Sequence, residues 1–320
     1  MSANPAGSEP AGAIADWCLR HLGAHPVHSF LTSASASQLW GFELADGRVV
    51  AIKLRPDSPR IAACDAAHRL VQEHGIDCPA LLAGPEPIGD SPGMVVTAEK
   101  WRGDGSVWPS DDPAGAYGRL QARLVAACAG LEPSLLAPPP PWLAYDHGQR
   151  DRLWAPEPNQ AWDPERVLRE LPAGLAATAE TARQRLLATP LPEVVGHGEL
   201  NGVHIRWLEG PNGVPSAIVH GWEELTGRPE AVLVGCLTAN FSELPDETRM
   251  APVALGRRVM AAYQSESGRA LSDDEVEVAW AASAWVGCYN AAREHLRGAA
   301  GQVTHQIMTD GHLRLQLAGC

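Results

Sequence analysis

His197-Gly198-Glu199-Leu200-Asn201-Gly202-Val203-His204 is the stretch on which the fold reading turns. Eight residues carry one carboxylate, two imidazoles and two glycines, and the apolar run 203–208 follows with strand character. Twenty-two positions after Glu199 stands Gly221, inside Val219-His220-Gly221-Trp222-Glu223. Between the two motifs lie the turn residues Glu209-Gly210-Pro211-Asn212-Gly213 and a second short apolar run, 216–219, so the spacing predicts a β-hairpin joining them.

Toward the N-terminus the pattern changes from helical to alternating. A short helix is expected over 11–22. Residues 38–44 alternate as a strand, Ala45-Asp46-Gly47-Arg48 supplies a turn, and 49–54 forms a second apolar strand that carries Lys53. Residues 61–74 have helical spacing and stop at Gly75. Residues 93–98 give a further strand, and the polar run Glu99-Lys100-Trp101-Arg102-Gly103-Asp104-Gly105 reads as a hinge.

Beyond Pro113 the pattern is mainly helical, over 114–131, 164–171, 176–187, 251–267 and 272–296. Pro138-Pro139-Pro140-Pro141 predicts an extended connector, because proline lacks the donor a helix needs. The alternation in His312-Leu313-Arg314-Leu315-Gln316-Leu317 reads as a terminal strand. Domain boundaries expected on this basis are 1–24 for a leader and short helix, 25–100 for a β-rich lobe, and 101–320 for a helical lobe.

A formal net charge of −13 over 320 residues argues against nucleic-acid and anionic-membrane surfaces, which need clustered Lys and Arg. No apolar run approaches a membrane span, and the N-terminal residues lack the pattern of a signal peptide. Seven cysteines without a CxxC pair fit reduced thiols, and a cytoplasmic location is expected.

The order of these features resembles that of the aminoglycoside phosphotransferase and choline kinase family. Residues 197–204 resemble its loop of His-Gly-Asp, four residues, then Asn, and 219–223 resemble its Ile-Asp-Trp-Glu segment. Residues 49–53 resemble the strand bearing a phosphate-binding lysine, and 279–285 are similar to the terminal helix of many members. The resemblance spans roughly residues 25 to 295. It implies an α+β, bilobal protein kinase-like fold, with a β-rich N-lobe and a mainly helical C-lobe that holds an embedded β-hairpin.

Phosphoryl transfer is mostly positioning and charge neutralisation, and the resemblance allows each part to be checked. Lys53 matches the phosphate lysine, with Asp65 or Glu73 near the place of its helix carboxylate. Glu199 stands where the family has its catalytic aspartate, one methylene longer. His204 replaces the magnesium-binding asparagine, and Gly221 replaces the aspartate that is the main carboxylate ligand. A register shifted by one puts His220 there instead, and either choice loses the carboxylate. Glu223 or Glu224 could substitute by reaching back.

The loop Thr32-Ser33-Ala34-Ser35-Ala36-Ser37 occupies the place of the phosphate-covering loop, which marks Ser35 and Ser37 as anion contacts or as an ordinary polar turn. Glu199, His204 and His220 form a candidate acid–base set, since histidine titrates near neutral pH. Trp222, with Trp101, Trp142 and Trp207, is a candidate substrate contact or a core residue. Three histidines suit a transition metal in principle, but their spacing matches no established motif, so no metal site is assigned.

The leading expectation is an enzyme that binds a small-molecule or peptide substrate between the lobes and performs acid–base chemistry, a cyclisation or elimination, with no cofactor. The alternatives are an ATP- and Mg²⁺-dependent small-molecule phosphotransferase and a noncatalytic pseudokinase that binds a protein partner.

Overall fold

The computed structural model describes residues 12–320 apart from 35–37, 90, 110, 158–160, 162, 211–214, 246 and 299–300. Contacts divide the chain into two compact units, Met1–Asp104 with Ile218–His220, and Gly105–Ala217 with Gly221–Cys320. Ser35 and Ser37 and the centre of the expected 209–213 turn lie outside the described residues.

The first unit holds a five-stranded antiparallel sheet in the order β1-β2-β3-β5-β4. Its strands are β1 (Pro26–Ala34), β2 (Gln38–Leu44), β3 (Val49–Pro56), β4 (Leu81–Pro87) and β5 (Met94–Lys100). Alternation along β3 gives its two faces different company. Val50 and Ile52 join Phe42, Val96 and Ala98 in an apolar layer closed by Ile14 and Trp17 of α1 (Gly12–Leu22). Lys53 and Arg55 take the opposite face, where α2 (Pro59–Glu73) brings the buried Asp65 and His68.

That second face is a buried charge network. Lys53 Nζ donates to Glu99 Oε1 at 3.0 Å, and both side chains are more than nine-tenths covered. Arg55 donates to Thr97 Oγ1 at 2.9 Å and approaches Asp65 at 3.8 Å. The register explains the pairing: Lys53 lies opposite Thr97 on β5, and Glu99 is the next residue on the same face. Lys53 therefore bonds a strand carboxylate, Glu99, and the helix carboxylate Asp65 lies in the same buried network, where the charge of Lys53 bears on it.

The second unit is helical. Its helices are α3 (Pro113–Ala127), α4 (Ala173–Ala188), α5 (Glu230–Asn240), α6 (Val253–Ser267), α7 (Asp273–Leu296) and α8 (Gln302–Leu317). Trp154, Trp280, Trp285, Tyr263 and Tyr289 fill the core between them. Ser272 and Glu275 close the start of α7 with a reciprocal capping box, Glu275 N–H to Ser272 Oγ at 3.3 Å and Ser272 N–H to Glu275 Oε2 at 2.8 Å. Two short ribbons are also formed: β6 (Glu193–His197) with β9 (Leu225–Pro229), and β7 (Ile205–Leu208) with β8 (Ser216–Val219). The terminal residues of β8 group with the first unit, where the Val219 amide donates to the Asp77 carbonyl at 2.9 Å.

Three expectations are corrected. Residues 302–317 form α8 rather than a strand, because Arg314 points inward. Its guanidinium is fully buried, donating to Asp310 Oδ1 at 3.0 Å and also to Ser283 Oγ and the Ala251 carbonyl. The helix expected over 164–171 is only a 3-10 turn, Pro164–Val167, closed on the far side by Pro172. The proline run is extended at Pro140 but then enters a 3-10 turn at Pro141–Leu143, since proline is tolerated in a first helical turn.

Six of the seven cysteines are buried and all are free thiols; only Cys320 is exposed. Burial pushes Cys18, Cys78 and Cys128 up to about 12, and raises Cys236 and Cys288 as well. No helix among the described residues is long and apolar enough to cross a membrane.

Candidate active site

The site is built where β6 ends. His197 pairs with Leu225 of β9, and the next amide, Gly198 N–H, donates to the Glu224 carbonyl at 2.8 Å. Trp142 Nε1 donates to the Gly198 carbonyl at 3.2 Å, which fixes the peptide just before Glu199. The loop then folds on its own polar atoms. Glu199 N–H donates to His197 Nδ1 at 3.1 Å, and Val203 N–H donates to Asn201 Oδ1 at 2.9 Å. His204 and Ile205 N–H both donate to the Asn201 carbonyl, at 3.1 and 2.9 Å. Gly202 admits the chain of residue 243: its N–H donates to the Glu243 carbonyl at 2.8 Å, and a Cβ there would lie 2.9 Å from that oxygen.

Glu199 and His204 meet at the centre of this loop. His204 Nε2 lies 3.2 Å from Glu199 Oε2, and each side chain keeps about a fifth of its surface, 18% for the histidine and 21% for the glutamate. The amide of Asn201 reaches the other oxygen, Glu199 Oε1, at 3.4 Å, and Glu243 Oε2 at 3.4 Å. Burial alone would raise the Glu199 carboxyl, but the His204 hydrogen bond and charge, with Arg293 and His197 beyond, hold it below the usual carboxylate range. Burial likewise opposes the His204 imidazolium, yet the bond to Glu199 and the charges of Glu199, Glu224 and Glu223 carry it up to about 8. Both shifts favour the carboxylate–imidazolium form of the pair. Glu243 moves the other way, pushed up to about 7 by burial and by the Glu199 charge.

Gly221 stands beside the pair at φ 70°, ψ 43°, ahead of the 3-10 turn Trp222–Glu224. A Cβ at 221 would fall 2.8 Å from His204 Cγ and 2.9 Å from His204 Cε1, so the imidazole fills the space of any side chain there. The two replacements read from the sequence are one structural event. The magnesium that the resemblance implies would take oxygen donors from positions 204 and 221. The donors present do not fit it: one position offers a nitrogen and the other has no side chain.

The other sequence-derived candidates fall elsewhere. Lys53 belongs to the charge network of the first unit, and His220 also groups with that unit, where its charge bears on Asp104. Trp222 is almost fully buried, edge-on to the His197 ring at 6.4 Å, and so packs beneath the loop. Trp207 is buried too, against Tyr117 at 5.0 Å. Glu224 joins Glu199 and His204: one ligand atom from each lies within 4.8 Å of the others. Asn201 and Glu243 were missed as partners. Asn201 lies inside the quoted motif but in no position the family resemblance marks, and Glu243, in a loop 44 positions after Glu199, carries no sequence signal.

No protein-family model matches the sequence, and no curated protein matches it. Solved structures do. The chain is similar to spectinomycin phosphotransferase in complex with ADP and spectinomycin, with TM-score 0.59 and 8% identity over 97% of this chain and 94% of that one. It is similar to an amicoumacin kinase in complex with AMP-PNP and Ca²⁺, at 0.58 and 10%, over 90% and 88%. A macrolide 2'-phosphotransferase from Brachybacterium faecium gives 0.54 and 15%, over 95% and 98%. The class defined is therefore the α+β protein kinase-like fold. Identities this low describe architecture alone.

Proposed function

We propose that the chain is a kinase-fold enzyme acting on a small organic molecule, and that its reaction is phosphoryl transfer from a nucleoside triphosphate to an acceptor hydroxyl. The observation that carries this reading is the partly accessible Glu199 carboxylate, held just past the end of β6 at 3.2 Å from His204, in a fold shared with phosphotransferases of which two were solved with nucleotides. Transfer of this kind needs orientation more than proton abstraction. A carboxylate held below its usual range suits that task, because it accepts a hydrogen bond from the hydroxyl without removing its proton early. As the acceptor oxygen bonds to the γ-phosphorus, the bond to the departing diphosphate breaks and the proton passes to Glu199. The products are a phosphate ester and a nucleoside diphosphate. Lys53 as the phosphate contact belongs to the same proposal.

The packing of His204 against Gly221 favours a second reading: nucleotide-independent acid–base catalysis, with the imidazolium of His204 as acid and Glu199 as base, in a cyclisation or elimination. Calorimetric titration with ATP and GTP, each with Mg²⁺, Mn²⁺ and Ca²⁺, separates the two. Saturable nucleotide binding supports phosphoryl transfer. Absence of binding with every ion sinks it, and conversion of a substrate without nucleotide, lost in Glu199→Gln and His204→Ala, then supports the second.

A further inference from the structure

We propose that Glu199, His204 and Glu224 form a site for a divalent ion that accepts imidazole, of the Mn²⁺ or Zn²⁺ kind, in preference to Mg²⁺. Each residue presents one ligand atom, and all three atoms lie within 4.8 Å of one another. The best-defined edge of the triangle is the 3.2 Å between His204 Nε2 and Glu199 Oε2. Two donors bound to one ion at ~2.1 Å are about 3.0 Å apart at a right angle and about 3.4 Å apart at a tetrahedral angle. The observed edge falls between those values. On coordination the imidazole gives up its Nε2 proton to solvent, and the ion takes the proton's place between the two side chains.

The surroundings hold each donor in place. The Asn201 amide points at Glu199 Oε1, which leaves Oε2 as the oxygen facing the imidazole. Glu224 is anchored by its own backbone, its N–H donating to the Gly221 carbonyl at 2.9 Å and its carbonyl receiving the Gly198 N–H at 2.8 Å. Such supporting bonds orient ligands and commonly set affinity. All three side chains are half-buried, so solvent or a substrate can complete the coordination.

Donor chemistry chooses the ion. One nitrogen and two carboxylates suit Mn²⁺ and Zn²⁺, whereas Mg²⁺ demands near-octahedral oxygen donors and dehydrates reluctantly. Gly221 makes the arrangement possible, since any larger residue would displace the imidazole. The inference stands apart from phosphoryl transfer: an ion here serves either chemistry proposed above.

The test is metal uptake by the full chain after chelation, followed by loss of the free Mn²⁺ resonance and by the visible spectrum of Co²⁺. One Mn²⁺ per chain is expected, displaced by Zn²⁺ and retained in roughly hundredfold excess of Mg²⁺. Glu224→Gln and His204→Ala should each weaken uptake more than about tenfold, with unchanged circular dichroism. If His204→Ala does not fold, Glu224→Gln alone decides. The double variant His204→Asn with Gly221→Asp, which restores oxygen donors, should shift preference toward Mg²⁺. No uptake of any of the three metals, equal displacement by Mg²⁺, or uptake untouched by Glu224→Gln overturns the proposal. Uptake without nucleotide binding leaves the ion site standing and removes phosphoryl transfer; nucleotide binding without uptake does the reverse.

Discussion

The His204 ring occupies the volume in which a side chain at Gly221 would begin, with Cγ 2.8 Å and Cε1 2.9 Å from the place of a Cβ. Position 221 also sits in the left-handed region at φ 70°, so a side chain there is strained twice. Gly221→Ala should cost about 2 kcal/mol, by backbone strain and by displacement of the imidazole. The steric share should vanish when His204 is replaced by Ala. A urea double-mutant cycle reads this directly, and additivity within about 0.5 kcal/mol would show that the two positions are independent.

Glu199→Gln keeps the shape of the side chain and removes its charge. Under the phosphoryl-transfer reading, turnover should fall by about 10²- to 10⁴-fold while nucleotide affinity stays near that of the native chain. Steady-state kinetics alongside nucleotide calorimetry measures both. A parallel loss of affinity would assign Glu199 to binding instead.

Lys53 and Glu99 form a buried pair in the first unit, and breaking a buried pair costs more than replacing it. Glu99→Gln removes the charge of the carboxylate bonded to the ammonium and should destabilise by about 3 kcal/mol. Lys53→Met with Glu99→Leu should cost clearly less than the two single changes together. Urea midpoints of the native chain, Glu99→Gln, the two single changes and the double variant check this, and equal penalties for Glu99→Gln and the double variant would refute the account.

His68 supplies a pH dependence of its own. Burial first, then the charges of Lys53 and Arg69, hold its imidazole down at about 4, with Glu99 opposing. The unfolded chain takes up the proton near pH 6.5 and the folded chain only near 4, so this contribution is complete above pH 6.5 and is lost as pH falls toward 4. The slope is about 1.4 kcal/mol per pH unit, or about 2 kcal/mol between pH 6.5 and 5. Urea unfolding at pH 7.5 and 5 should show the loss in the native chain and a smaller one in His68→Leu. Parallel losses would place the acid sensitivity elsewhere.

Legibility in the sequence followed how far side-chain pattern reported burial. β3 was readable because Val49 to Lys53 is apolar almost throughout, and α7 because Ser272 and Glu275 announce its start. α5 was missed: all its residues from Ala231 to Asn240 are buried, so no polar face marks a helical period. α8 was misread because its inward face carries Asp310 and Arg314 while Leu313 is exposed, an inversion that makes leucine spacing point to a strand. At the site, Glu199, His204 and Gly221 were legible as departures from a motif. Their mutual packing was not, because it depends on where β6, β7 and the Trp222–Glu224 turn bring three separated segments. The partnership of Lys53 with Glu99 was likewise hidden in the strand register.

The buried thiols give the molecule an internal clock for its own opening. Cys18, Cys64 and Cys78 lie in the first unit, and Cys128, Cys236 and Cys288 in the second, while Cys320 is exposed. A thiol without access to solvent reacts with an alkylating reagent only after the structure around it has parted. Cys320 should therefore be modified at once. The order in which the other six follow, resolved by peptide mass spectrometry, would date the loosening of each half of the chain without any added label.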